Sequence, residues 1–300
     1  MDGSSTSSLV RSDVWFEDGT VVLQAGTTLF RVYRGVLAAQ SPIFRDTFAI
    51  PQPPTPETYE GCPLVVLPDA PRELRYFLMA THDAGYFTNT PVADIGTLSA
   101  LLNLSTKYEV EHVRIRMVAI LTCIYPSSLT GWLSRKPPAG YEEGEDDDLI
   151  ALGLALQHQI LPVLPGIYYE CCRFQTSMLL DSDDISLKDK TRCIMAKENF
   201  MEDSCREIYA FLFDPADACS KPVNCLYRRL CWLKQNGSPT LAWIFDGDFD
   251  WETLPICSVC MDVGKASFYE KRAAFWDTLP TLFDLEGWED LISPDSMQEE

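Results

Sequence analysis

Eleven cysteines stand in this chain of 300 residues, and two of them, Cys257 and Cys260, are separated by only two residues. Thiolates at that spacing can grip one metal ion around a tight turn. A second pair, Cys219 and Cys225, lies about 30 residues upstream. Four sulfurs complete a tetrahedron, which defines a closed structural site and suits zinc. The five-residue gap in the upstream pair is longer than usual for such sites. Cys171, Cys172 and Cys231 therefore remain alternative ligands. The competing reading is that all are buried thiols, which pack as small apolar groups. Cys62, Cys123, Cys193 and Cys205 read as inert packing.

Other chemistry finds less support. A dithiol redox motif needs a strand before and a helix after it inside a βαβ unit, and that pattern is missing around Cys257. Asp246, Asp248 and Asp250 occupy positions 1, 3 and 5 of a calcium-loop pattern. Trp251 then stands where glycine is required and Cys257 where glutamate is required, so the pattern fails. His82, His112 and His158 are scattered over predicted helices and helix ends. The chain shows no nucleophile elbow, phosphate loop or dinucleotide fingerprint. These observations point away from an enzyme.

The elements that would position the cysteines are helical. Apolar residues repeat at helical spacing over Asp148–Ile160, Ile167–Leu179, Thr191–Phe213, Val223–Lys234 and Ala266–Leu279. The last presents Phe268, Arg272, Phe275, Trp276 and Leu279 on one face. The first part of the chain reads differently. Asp13–Phe16, Thr20–Ala25 and Leu29–Tyr33 are strand-like, with Asp18-Gly19 as a hairpin signal between the first two. Val36–Gln40 is a short helix. Ser41 and Pro42 open another as N-cap and first helical residue. Residues 51–61 are a proline-rich loop, Leu64–Leu67 is a buried strand, and three helices follow, carrying Leu74 to Thr81, Leu98 to Ser105 and Val110 to Leu121.

The fold class implied is α+β. The expected organisation is a polar tail over 1–11, a mixed domain over 12–125, an acidic Pro/Gly linker over 126–148, a helical region over 149–292 and a tail over 293–300. The net charge of −20 divides into −4 for residues 1–125 and −16 for 126–300. Such a field repels phosphate backbones and argues against nucleic-acid binding. The N-terminus lacks the basic start and apolar stretch of a signal peptide. The longest apolar run, Leu149–Leu156, is too short to span a bilayer. The expected setting is the cytoplasm or nucleus, where cysteines stay reduced.

Residues 12–122 resemble a BTB/POZ domain. The resemblance rests on Asp13, on the phrase formed by Phe30, Val32, Tyr33, Arg34, Val36, Leu37, Ala38, Ala39, Ser41 and Phe44, and on "LLNLSTKYEVEHV" over 101–113. Tyr33 stands where animal members usually carry histidine. The segments "ILPVLPGIYYECC" (160–172) and "FWDTLPTLFDLEGWEDL" (275–291) are similar to the C-terminal region of BTB proteins from mushroom-forming (basidiomycete) fungi. The resemblance implies a protein-binding adaptor or scaffold that pairs homo- or heterotypically, including a homodimer. Val14, Trp15, Phe16, Leu37 and Phe44 are its candidate interface residues, against a reading as core packing. The alternative is a substrate adaptor of a cullin-type ubiquitin ligase. The hydrophobic-x-Glu motif expected of that role is replaced by Gln52-Pro53-Pro54.

Overall fold

The β2 strand (Val21–Ala25) shows why the first part of the chain folds as it does. Val21, Val22, Leu23 and Ala25 are all buried, as a strand covered on both faces requires. The computed structural model describes residues 8–51, 57–83, 85–89, 92–199, 205–237 and 244–293. It is a mixed α+β protein that divides into two units. One comprises 1–121 with 137–144, the other 122–136 with 145–300.

In the first unit, β1 (Val10–Trp15), β2, β3 (Thr28–Val32), β4 (Thr58–Tyr59) and β5 (Cys62–Leu67) form one sheet in the order β1-β3-β2-β5-β4. The true hairpin is β2–β3, antiparallel with Ala25 opposite Thr28. The expected hairpin across Asp18-Gly19 does not form: β1 pairs instead with β3, in parallel. The reason lies at Gly19. Its backbone passes so close to β3 that a Cβ there would sit 2.8 Å from the Arg31 side chain. The Arg31 Nε donates to the Gly19 carbonyl at 3.0 Å. The glycine therefore allows a crossing, and β3 comes between β1 and β2. β1 also starts at Val10, inside the expected tail. The loop over 51–61 contains β4, while residues 52–56, including Gln52-Pro53-Pro54, lie outside the described residues.

Helices α1 (Arg34–Gln40), α2 (Pro42–Ala49), α3 (Pro71–His82), α4 (Tyr86–Asn89), α5 (Ile95–Lys107) and α6 (Glu111–Ile124) complete this part. Ser41 caps α2 by accepting from the Phe44 amide at 3.0 Å, and its hydroxyl donates to the Tyr108 carbonyl at 2.5 Å. One buried residue thus closes a helix and ties it to the end of α5. Phe44 stacks on Tyr108 with ring centroids 4.4 Å apart.

The second unit is helical: α7 (Leu129–Ser134), α8 (Asp147–Gln157), α9 (Leu164–Cys171), α10 (Thr176–Asp181), α11 (Leu187–Asn199), α12 (Cys205–Ile208), α13 (Pro222–Asn236), α14 (Ser258–Leu282) and α15 (Trp288–Ile292). Residues 126–148 are not simply a linker, because α7 lies within them and buries Trp132. Gly166 on α9 makes room for that indole, since a Cβ would fall 2.5 Å from its ring. Trp132 also contacts Trp276, and Trp276 stacks on Trp288. Arg135 lies 3.6 Å over the Trp132 ring and pairs with buried Glu170, which also pairs with Arg173. Among the described residues, no helix is long and apolar enough to cross a membrane.

Candidate metal centre

Cys219, Cys225, Cys257 and Cys260 come together with all four sulfurs within 4.8 Å of one another. Both pairs meet at helix starts. Pro222 opens α13 and places Cys225 in its first turn; Cys257 is the N-cap of α14, and Cys260 lies one turn in. Helix N-termini present unpaired N–H groups and positive dipole ends, which favour thiolates. The α14 helix begins eight residues before the periodic segment predicted from Ala266, so the Cys-x2-Cys pair is held by a helical turn.

The spacing distinguishes a metal cradle from a disulfide. The Cys219 and Cys257 sulfurs are 3.7 Å apart, whereas a disulfide needs about 2.05 Å. A tetrahedral zinc with Zn–S bonds of about 2.3 Å separates its sulfurs by about 3.8 Å. All four cysteines are free thiols.

Electrostatics point the same way. The Ala216 amide donates to the Cys260 sulfur at 3.4 Å. Arg229, on the same face of α13 as Cys225 and only 1% exposed, bonds the Phe211 carbonyl through Nε at 2.6 Å. Its Nη1 has no hydrogen-bond partner. Burial opposes ionisation of Cys260, yet Arg229, the Ala216 amide, Cys219 and Cys257 draw its thiol down to about 7. At Cys219 the Lys221 amide favours the thiolate, but burial and the other three sulfurs outweigh it and hold the thiol up at about 12. Four adjacent sulfurs cannot all ionise without a cation among them. A divalent ion would deprotonate all four and leave a net charge of −2. That charge would compensate Arg229, whose cation is buried beside the sulfurs. The donor set and the orphaned N–H both fit such an ion.

The remaining cysteines separate from this group. Cys171, Cys172 and Cys193 are fully buried between α9 and α11, and Cys172 donates to the Cys193 carbonyl at 3.3 Å. Cys231 pairs with Tyr227 on α13. Cys62 donates to the Gly19 carbonyl at 3.4 Å. Cys123 is exposed and is not packing, contrary to expectation; the Cys205 side chain lies outside the described residues. The three calcium-like acids have separate tasks: Asp246 pairs with Arg173, Asp248 with Arg272, and Asp250 caps the Glu252 amide.

The candidate interface residues divide. Leu37 and Phe44 are at most 1% exposed and Val14 is buried at 6%, so these three form core and are not available to a partner. Trp15 is partly exposed, lying edge-on to Tyr59 and under Arg11. Phe16 is also partly exposed, against Tyr33 and His82. Arg229 was not found from the sequence. The available signal was an arginine at the i+4 position from Cys225 on an otherwise apolar helix face.

No family model matches the chain, and no curated protein or solved structure matches it either.

Proposed function

We propose that the protein is an interaction adaptor and not an enzyme. In this reading an N-terminal BTB/POZ-type unit associates homo- or heterotypically, and a zinc-stapled helical unit selects a second protein partner. The observation that carries it is the closed four-sulfur cradle with its buried Arg229. Protein atoms would fill all four positions around the ion, leaving none for a substrate, so the metal acts as a staple. Cys219, Cys225, Cys257 and Cys260 would hold the zinc, and Arg229 would offset its charge.

The resemblance over residues 12–122 supplies the adaptor half of the reading. Its support is the order of elements: strands, two short helices, a further strand, then helices. Trp15 and Phe16, both partly exposed, are the remaining candidates for that unit's association surface.

A native mass spectrum of the full-length chain, purified without chelator, tests both halves. A dimer carrying one zinc per chain is the expected result. A metal-free monomer would overturn the staple and the self-association together.

A further inference from the structure

Helix α13 is apolar on two opposite faces. Cys225, Arg229 and Trp232 point inward. Val223, Leu226, Tyr227 and Leu230 are spaced i, i+3, i+4 and i+7 on the other side. Their exposures are 81%, 37%, 66% and 54%. That spacing is the seam an amphipathic helix normally turns toward a core. A surface pocket of about 560 Å³ opens at its N-terminal end, between Lys221, Val223 and Tyr227.

The charge around this seam is opposite to that of the chain. From Lys221 to Asn236 there are four basic residues and no acidic one, in a protein of net charge −20. Arg229 is buried, so Lys221, Arg228 and Lys234 are the exposed cations. A symmetric pairing of two copies would set these like charges against each other. An anionic bilayer would extend past this patch and be repelled by the rest of the chain, whereas a single helix covers the patch alone. An acidic helix with its own apolar stripe meets both features at once, the seam by burial and the lysines by charge.

We propose that the outer face of α13 docks an acidic amphipathic helix of a partner protein. The proposal rests on the adaptor reading and names the kind of partner its helical unit takes. A metal held by the four cysteines would fix the first turn of α13 through Cys225, so the staple proposed for this unit would also present the docking face.

The test uses the full chain and two fluorescently labelled helical peptides of about 15 residues, the length of α13. Both carry leucine at i, i+3, i+4 and i+7; one has glutamate and the other lysine at the flanking positions. The glutamate peptide should bind, and its affinity should fall as salt rises from about 0.05 to 0.3 M. Tyr227→Ser with Leu230→Ser should weaken it about tenfold or more. Lys221→Glu with Lys234→Glu should transfer the preference to the lysine peptide. No binding of the glutamate peptide, equal binding of both peptides, or insensitivity to the serine pair would overturn the proposal. Binding to anionic vesicles that the serine pair abolishes would replace it with a membrane site. A zinc-bound dimer that ignores the glutamate peptide would sink this inference alone. A metal-free monomer would sink the zinc staple and the self-association of the adaptor reading, whatever the peptide does.

Discussion

The two units solve the problem of a stable core differently. The first buries a strand on both faces, covers it with helices, and closes helix ends with side chains such as Ser41. The second has no described strand. It relies on an aromatic cluster around Trp132 and Trp276, on buried charge at Glu170, Arg272 and Arg229, and on four clustered cysteines. Apolar burial tolerates changes in conditions such as metal supply. Buried charge and metal cradles stand or fall with their partners. The contrast teaches where the molecule is conditional.

The largest expected effect breaks the contrast directly. A structural tetrathiolate zinc contributes about 10 kcal/mol or more of free energy at neutral pH, comparable with the whole stability of a domain at about 5–15 kcal/mol. Cys257→Ser with Cys260→Ser, or a strong chelator, should therefore unfold the second unit and leave the first folded. Limited proteolysis reads this as loss of 145–293 with survival of 8–121. Joint loss of both would contradict separate means of stabilisation.

Asp148 gives a second effect, confined to the second unit. Burial and the nearby Glu170 raise its carboxyl to about 6, from an ordinary 3.8, although Tyr125 donates to it at 2.7 Å. The folded protein thus holds this proton more tightly than the unfolded chain. The resulting contribution is complete below about pH 4, declines as pH rises to about 6 and is gone above that. Asp148→Asn should flatten this decline and stabilise the second unit at pH 7 by up to about 3 kcal/mol. Denaturant melts at pH 4.5 and 7 measure it, and an unchanged pH slope would contradict the assignment.

Arg229→Met sharpens the reading of the centre. Losing a partner in the outer shell of a metal typically weakens binding about 10- to 100-fold. The metal-free form should instead become more stable, because a buried cation with no carboxylate partner among the described residues is gone. A zinc titration with paired apo melts checks both signs. Unchanged affinity would remove Arg229 from the centre.

The smallest effect belongs to the first unit. Ser41→Ala removes the α2 cap and leaves the Tyr108 carbonyl unpaired, a loss of about 1–2 kcal/mol. It should leave zinc content unchanged, which metal analysis of the purified variant would show.

The same division governs what the sequence reveals. In the first unit, β2, β3, α2 and the later helices follow from alternation, helical spacing and one Ser-Pro cap, all local signals. The partner of β1 does not, because the crossing at Gly19 depends on how close Arg31 comes in the folded chain. In the second unit, Ile167–Leu179 reads as one helix, yet α9 ends at Cys171. Arg173 turns away there to reach Glu170 and Asp246, and Lys197 bonds the Phe174 carbonyl at 2.7 Å. The contacts to Asp246 and from Lys197 are long-range and have no local signature. The cysteine quartet was legible because sulfur at Cys-x2-Cys spacing is uncommon and specific. Arg229 was not, since an arginine on a helix looks like surface until its face is known to be buried.

Hydrogen exchange on the full chain, with zinc supplied and with zinc removed by chelator, separates a metal-dependent second unit from a first unit that holds itself. Protection should collapse on zinc removal across α13 and α14, spreading through the second unit, while β2, β3 and α5 remain protected. Equal protection in both conditions, or a loss spread evenly over both units, would contradict it.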